Sequence, residues 1–406
     1  MRIPLASSGL RDIDILAATH VLNSGNLTMG SQVKNFENDI ARYLDVEHFI
    51  MMNSGSSANL AMIEALLRPA KGKPKLSFGD KILVPAIAWP TTIWPIIQLG
   101  LNPIFVDVNP FTLALDLESA QGVIDNFDGK VRGIFPIHPL GYSMSPSKLE
   151  SFIEKNNLVL INDVCESLGS WREGKHAGTS GTAGSFSFYF SHHITTMEGG
   201  GVATNDSKFA DDLRSIRSHG WSRDRSDVAE WRTGVSNNES KFLFVSTGYN
   251  VRPMEIQAAI GISQIRDIDI FIGKRRAIAQ AVGNAVAGTC IKLIGAENLE
   301  QGKDQKSHSW MLLPLRVVGP YAAQIKKKIV EALENLEIET RPVLTGNFLA
   351  QPAMKTIGHS SQKPENFPVA SMITETAFMV GAHHDLTTEQ IHFLCDALER
   401  TALKFV

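Results

Sequence analysis

The chain has 406 residues, of which 43% are hydrophobic and 20% charged, so it can bury a core and is not globally disordered. Its 39 basic and 42 acidic residues leave a formal net charge of −3 and form no long basic run, which argues against a dedicated nucleic-acid binder. No stretch approaches about 18 uncharged apolar residues, and the N-terminus lacks a secretory signal, so we expect a cytoplasmic protein without a membrane anchor.

Short apolar segments alternate with helical ones over the first two thirds of the chain. A helix over 11–22 and a glycine-containing loop come first, and 1–30 is expected to form an N-terminal segment. After a helix over 33–44, strands are predicted at 48–52, 81–86, 103–108, 131–138, 158–163, 185–190 and 200–205. Helices are predicted between them at 53–67, 89–99, 147–155 and 208–219. Apolar strands alternating with helices are typical of a mostly parallel sheet covered on both faces.

The pattern changes after about residue 270. A helix over 272–286 leads to an apolar run at 310–317, an amphipathic helix over 322–336 and a last helix near 387–404. This predicts a large domain over 31–270 and a smaller α+β domain over 271–406.

The motif NSGSSAN at 53–59 follows a predicted strand and opens a helix. Free backbone N–H groups at such a helix terminus bind a phosphate well, and serine hydroxyls can add to them. An ordinary serine-capped helix is the competing interpretation.

Two further side chains lie near predicted strand ends. Asp163, in NDVCES, ends an apolar strand, where an open α/β sheet has its ligand crevice. A carboxylate there suits a protonated ring nitrogen, as in pyridoxal phosphate enzymes, and a helix N-cap is the alternative. Trp89 follows the strand at 81–86, so its ring could stack on a planar cofactor or pack in the core.

In the segment GSFSFYFSHHITTMEGGGVATND at 184–206, a predicted strand ends in two adjacent histidines. Neighbouring strand residues point to opposite faces, so His192 and the histidine after it are not expected to share a metal. In the later sequence HHDLT, Asp385 and Thr387 are interpreted as helix-capping groups rather than metal ligands. Three separated cysteines form no CxxC pair, so we expect neither a zinc site nor an iron–sulfur cluster.

Together and in this order, the segments resemble the fold-type I pyridoxal phosphate enzymes of the DegT-like sugar aminotransferase family. The matching motifs cover nearly the whole chain and include SGNLTMGSQVKNFE, NSGSSANL, VPAIAWPTT, FVDV, NDVCESLGS, the 184–206 segment, SHGWSRD, GYNVRPMEIQAAIG and IETRPVLTGN. The resemblance implies an aspartate aminotransferase-like α/β fold, with a mostly parallel seven-stranded sheet in the large domain and a smaller α+β C-terminal domain.

The resemblance also implies a binding site for pyridoxal 5′-phosphate or pyridoxamine 5′-phosphate. Gly55, Ser56 and Ser187 would hold the phosphate group of the cofactor. Trp89 would stack on the ring, and Asp163 would pair with the ring nitrogen.

Other residues of the shared motifs have implied roles around this cofactor. Glu166 would lie near the ring hydroxyl, where the aminotransferases more often have glutamine. Asn250 would reach the phosphate of the neighbouring subunit's cofactor, so the active unit would be a homodimer. Arg341 is a candidate for contact with the glutamate carboxylate or the sugar nucleotide. His219 and Arg252 are weaker candidates for the same cleft, and each of the three could equally be a structural partner.

The most important departure from the family pattern is at residue 192. Aminotransferases of the family have a lysine there, whereas this chain has His192 and no lysine from 185 to 206. Imidazole cannot form the stable Schiff base that lysine forms with the cofactor, but it can move protons near neutral pH. The substitution resembles the 3-dehydratase branch of the family, which removes the C3 hydroxyl of nucleotide-linked 4-keto-6-deoxyhexoses.

This branch implies a reaction in deoxysugar biosynthesis on a sugar like GDP-4-keto-6-deoxymannose. Untethered pyridoxamine phosphate would condense with the C4 ketone, and His192 would remove a proton from the cofactor. Dispersed cysteines favour the kind without an iron–sulfur cluster, which takes its amino group from L-glutamate. Two alternatives stay open: a sugar aminotransferase that tolerates histidine, and a non-catalytic homologue with a regulatory role.

Overall fold

The computed structural model describes residues 1–126, 129–299, 304–358 and 362–405. Its strands are β1 (His48–Met52), β2 (Lys81–Pro85), β3 (Asn102–Val106), β4 (Val131–Ile134), β5 (Val159–Asp163), β6 (Trp171–Arg172), β7 (Lys175–His176), β8 (Ala183–Ser187), β9 (Gly200–Thr204), β10 (Ile291–Leu293), β11 (Leu312–Val317) and β12 (Ala377–Gly381). Its helices are α1 (Asp12–Ser24), α2 (Ser31–Leu44), α3 (Gly55–Leu67), α4 (Pro90–Gln98), α5 (Leu117–Asn126), α6 (Pro146–Asn156), α7 (Ser207–Arg217), α8 (Val228–Arg232), α9 (Glu255–Ile265), α10 (Ile268–Ala285), α11 (Ala322–Asn335), α12 (Pro352–Ile357), α13 (Pro368–Thr376) and α14 (Thr388–Ala402).

The large sheet has seven strands in the order β1-β9-β8-β5-β4-β2-β3. Strand β9 runs antiparallel to both β1 and β8, whereas the pairs from β8 to β3 are parallel. The mostly parallel sheet predicted from the alternating pattern is therefore confirmed. The carboxyl ends of β2, β5 and β8 lie on the same edge of the sheet, and this edge carries the candidate site.

Helices cover both faces of this sheet and bury its strands. On helix α2 the apolar residues Val33, Phe36, Ile40 and Leu44 recur at helical spacing, and all four are buried. They pack in one cluster with residues of β1, β8 and α10. A second cluster joins β2 and β5 to α3, α4 and α7. Burial on both faces explains why the strands are continuous apolar runs.

A smaller antiparallel sheet in the order β10-β11-β12 lies in the C-terminal third. Its core includes side chains of α11 and α14, such as Leu333 and Leu398. Ile3 joins the same core and forms a bridge with Ile338, so the N-terminus packs against this part of the chain. The domain boundary near residue 270 stays a prediction.

The strand predicted at 185–190 is shorter than the sequence indicated. Strand β8 ends at Ser187, whose partner is Gly200, the first residue of β9. The chain then turns, and the backbone N–H of His192 donates to the carbonyl oxygen of Tyr189 over 3.0 Å. The two histidines thus lie in a loop, and the prediction that they point to opposite faces of a strand is wrong. Within the described ranges, we find no helix with the length and apolar character needed to cross a bilayer.

Candidate active site

The N-terminus of α3 lies against the end of β8, and Gly55, Ser56 and Ser187 together form a cradle. The Ser54 hydroxyl caps the helix by accepting from the backbone N–H of Ser57 over 3.1 Å, as the serine-cap interpretation predicted. Helix geometry leaves the N–H groups of Gly55 and Ser56 without an intrahelical acceptor. A Cβ atom at Gly55 would lie 2.7 Å from the Cβ of Ser187, so glycine is needed for this close approach. The cradle suits an anion, since it combines N–H groups without intrahelical acceptors with the Ser187 hydroxyl.

Asp163 ends β5 with a buried carboxylate that three donors orient. Its Oδ2 accepts from the Asn59 side-chain amide over 2.8 Å and from the Thr92 hydroxyl over 2.7 Å. Its Oδ1 accepts from the backbone N–H of Cys165 over 3.1 Å. A turn follows Asp163, not a helix, so the alternative of a helix N-cap is wrong. The carboxylate is held in one orientation at the sheet edge.

Trp89 stands at the start of α4, one helical turn before Thr92. Its carbonyl oxygen accepts from the backbone N–H of Thr92 over 3.1 Å, which ties the tryptophan to the helix end that contacts Asp163. The side chain is 52% exposed, so core packing does not account for it. An exposed indole at the start of this helix can lie against a planar ring.

Glu166 lies three residues beyond Asp163 and is half-buried. Its carboxylate accepts from the backbone N–H of Leu140 over 2.9 Å. Burial, with a smaller effect of the nearby Asp163 charge, raises the pKa of Glu166 to about 8. The group therefore carries its proton at neutral pH and can donate a hydrogen bond.

The imidazole of His192 is half-buried in the loop after β8. Its Nδ1 lies 3.2 Å from the sulfur of Met311, and its backbone carbonyl accepts from the guanidinium of Arg275 over 3.1 Å. Burial, and then the positive charge of Arg275, lower the pKa of His192 to about 4. The ring is therefore neutral at pH 7 and can accept a proton.

Four residues that contact these groups were not predicted from the sequence. For Asn59 and Thr92 the sequence does carry a signal, because each is a polar residue at a helical position that faces the core. Both side chains are fully buried. Arg275 and Met311 had no such signal, because they lie in the C-terminal third and reach the loop only through the fold.

Three other predicted residues form a separate group next to the helix cradle. The side chain of Arg252 donates to Asn250 over 3.0 Å, and the backbone N–H of His219 donates to the carbonyl of Tyr249 over 2.7 Å. The group is tied to the segment before α3, because the N–H of Asn53 donates to the carbonyl of Val251. His219 and Asn250 are exposed, and the roles of these residues stay predictions.

Arg341 is exposed and pairs through its backbone with Met379 of β12. The segment that follows it reaches the end of β2, where the Thr345 hydroxyl donates to the carbonyl of Ala88 over 2.7 Å. The role of Arg341 stays a prediction.

One of the two capping groups predicted in HHDLT is confirmed. The Thr387 hydroxyl caps α14 by accepting from the backbone N–H of Gln390 over 3.2 Å. Asp385 instead accepts a hydrogen bond from the Ser7 hydroxyl, so its prediction as a cap is wrong. Within the part of the chain that the structure describes, no group of three or more His, Cys, Asp or Glu side chains could hold a metal ion.

A family model, the DegT/DnrJ/EryC1/StrS aminotransferase family, matches residues 10–399. The chain belongs to this family. It is 35% identical over 413 residues to GDP-4-keto-6-deoxy-D-mannose 3-dehydratase of Yersinia pseudotuberculosis, covering 98% of this chain and 99% of that protein. The aminotransferase-like fold expected from the motifs is confirmed.

Two solved structures of DegT-family proteins are also similar. One is E. coli GDP-4-keto-6-deoxy-D-mannose-3-dehydratase with bound hydrated PLP, with a TM-score of 0.88, 34% identity and coverage of 98% of this chain and 99% of that one. The other is GDP-4-keto-6-deoxymannose-3-dehydratase with a trapped PLP-glutamate geminal diamine, with a TM-score of 0.86, 33% identity and coverage of 98% and 100%.

Proposed function

We propose that the chain is a pyridoxal or pyridoxamine phosphate-dependent 3-dehydratase of deoxysugar biosynthesis. Its substrate would be a nucleotide-linked 4-keto-6-deoxyhexose like GDP-4-keto-6-deoxymannose, and L-glutamate would supply the amino group. One observation carries the proposal: a neutral imidazole, His192, stands in a loop that has no lysine from 185 to 206. The similar proteins named above support the substrate class.

The residues present fit a pyridoxal-type cofactor. The cradle at Gly55, Ser56 and Ser187 suits a phosphate, because the helix N-terminus offers N–H groups without intrahelical acceptors beside the Ser187 side chain. The buried carboxylate of Asp163 suits a protonated ring nitrogen, and the exposed indole of Trp89 suits the ring face. When bound, pyridoxamine phosphate would supply an amine for the sugar ketone and a ring that accepts electrons.

The residues of this chain would then have separate tasks. Asp163 would hold the proton on the ring nitrogen, and Glu166 would donate from its protonated carboxyl to the ring hydroxyl. His192 would take a proton from the carbon that bears the cofactor amine and return it to the departing C3 hydroxyl. General acid–base help of this kind is worth on the order of 10²–10⁴-fold.

The test of the reaction is the product. The purified protein, pyridoxal phosphate and L-glutamate are incubated with a panel of nucleotide-linked 4-keto-6-deoxy sugars, and the products are analysed by mass spectrometry. Loss of the C3 oxygen supports the proposal. An aminosugar that keeps this oxygen would make the protein an aminotransferase, and failure to bind any B6 vitamer would favour a non-catalytic homologue.

The test of His192 is a pair of substitutions. His192→Lys should attach pyridoxal phosphate covalently, seen as a mass increase after borohydride reduction, and should lose dehydration, because lysine recaptures the aldehyde. His192→Asn removes the base without adding an amine, so it should lose dehydration without the attached mass. Normal dehydration by His192→Lys would exclude the histidine as the base.

We further propose that the active unit is a homodimer whose two sites share residues such as Asn250. Helix α1 supports this, because Ile13, Leu16 and Leu22 are exposed on it at 58%, 68% and 55%. Leu16→Glu should reduce the mass measured by light scattering from that of a dimer to that of a monomer. Leu403→Glu, an equally apolar exposed position in the last turn, is the matched control and should leave the mass unchanged.

Three basic residues are proposed for the substrate side of the cleft: Arg341, His219 and Arg252. A guanidinium forms paired hydrogen bonds with carboxylate or phosphate, so Arg341 suits the carboxylate of glutamate or the diphosphate of the sugar nucleotide. The KM values of Arg341→Met for the two substrates would separate these roles. We also propose that the enzyme works in the reducing cytoplasm, which its three free cysteines support.

A further inference from the structure

The sulfur of Met311 contacts the proposed base of the reaction. It lies 3.2 Å from Nδ1 of His192. A thioether sulfur has lone pairs and no hydrogen, so it can only accept a hydrogen bond. An attractive contact at this distance therefore requires the proton of the neutral ring on Nδ1. The second nitrogen, Nε2, is then left with its lone pair.

Two backbone hydrogen bonds hold Met311 in place. Its N–H donates to the carbonyl of Leu140 over 2.9 Å, and its carbonyl accepts from the guanidinium of Arg275 over 2.8 Å. The same guanidinium donates to the backbone carbonyl of His192 over 3.1 Å. Arg275 is buried, and it therefore fastens the loop with the imidazole to Met311, the residue before β11.

Two residues next to Met311 have unfavourable backbone conformations. Leu140 and Trp310 are buried non-glycine residues with φ of 52° each, in the left-handed region. At Gly141, a Cβ would lie 2.3 Å from the backbone nitrogen of Trp310, so the two segments touch through their main chains. Such conformations persist where the surrounding structure requires them, and they are frequent at functional sites.

A chain of contacts joins the Met311–His192 pair to Glu166. The carboxylate of Glu166 accepts from the N–H of Leu140, the carbonyl of Leu140 accepts from the N–H of Met311, and the sulfur of Met311 contacts His192. The position of the sulfur is therefore tied to the residue proposed for the ring hydroxyl as well as to the base.

We propose that Met311 is a positioning residue that accepts the Nδ1–H of His192 and so selects the tautomer in which Nε2 is the base. Arg275 keeps the sulfur and the imidazole at contact distance. The catalytic meaning of this tautomer rests on the function proposed above, whereas the tautomer itself is a property of the protein without cofactor or substrate.

The first measurement is the tautomer of His192 in the cofactor-free protein. Nitrogen-15-labelled histidine gives correlation spectra that distinguish the two tautomers, and the signal lost in His192→Gln assigns the residue. We expect the Nδ1–H form in the unmodified protein and a shift toward the Nε2–H form in Met311→Leu, which keeps the shape but removes the acceptor. Met311→Gln, which restores an acceptor oxygen, should restore the Nδ1–H form.

The second measurement is the rate of dehydration. Met311→Leu should lower kcat by about 10- to 100-fold, by analogy with the loss seen when a partner that orients a metal-binding histidine is removed, and should change KM much less. Met311→Gln should recover part of the rate. An Nε2–H tautomer in the unmodified protein, or the same tautomer in all three proteins, would overturn the proposal. A correct tautomer without any dehydration would instead count against the proposed function alone.

Discussion

The hydroxyl of Thr92 offers a direct test of how the fold holds the carboxylate of Asp163. It donates to Oδ2 over 2.7 Å, and Asn59 donates to the same oxygen over 2.8 Å. Thr92 is completely buried, so water cannot replace its hydroxyl easily. Thr92→Val keeps the shape of the side chain and removes this one donor, while the bond from Asn59 remains.

The expected loss follows from the charge of the acceptor. A hydrogen bond to a charged group contributes about 1.5–3 kcal/mol, and a buried acceptor left short of a donor costs a similar amount. We therefore expect the free energy of unfolding of Thr92→Val to fall by about 1.5–3 kcal/mol. Thr92→Ser, the matched control, keeps the donor and loses one methyl group, which is worth about 1 kcal/mol.

The assay is equilibrium unfolding in urea of the cofactor-free proteins at pH 7. Absorbance spectra with added pyridoxal phosphate then report whether the ring nitrogen is still paired with Asp163. Thr92→Ser should bind the cofactor with the spectrum of the unmodified protein, whereas the spectrum of Thr92→Val should change. If the valine variant is at least as stable as the serine variant, the hydrogen bond from Thr92 to the Asp163 carboxylate does not stabilise the fold as proposed.

Two further predictions concern the cradle and the buried acid. Gly55→Ala should lower the free energy of unfolding by about 1–3 kcal/mol and weaken the binding of pyridoxal phosphate, because its Cβ would lie 2.7 Å from Ser187 and 2.8 Å from the sulfur of Cys165. Unchanged binding would contradict this prediction. Ser56→Ala, at an exposed neighbouring position, is the control for stability. Between about pH 4.5 and 8 the folded protein keeps the proton of Glu166 and the unfolded chain loses it, so this group makes stability fall as pH rises. Glu166→Gln should remove that contribution, and urea unfolding from pH 5 to 8 should show its stability rising relative to the unmodified protein; a constant difference would refute the assignment.

The sequence predicted most of the large sheet because its strands are buried on both faces. The run at 158–163 corresponds to β5 and the run at 81–86 to β2, each within a residue or so of the observed bounds. The aromatic run at 185–190 was predicted to be a strand throughout, but β8 ends at Ser187, because its antiparallel neighbour begins at Gly200. The tendency of aromatic residues to form strands does not show where the partner strand stops.

The sequence alone determined which chemical groups are present: a histidine at position 192, no lysine around it, and a carboxylate at the end of an apolar strand. Only the tertiary structure decided how these groups are held. Thr92 and Asp163 are 71 residues apart, and His192 and Met311 are 119 residues apart. Contacts over such separations leave no periodicity or local motif in a single sequence, because they form only when the sheet and the C-terminal strands pack together.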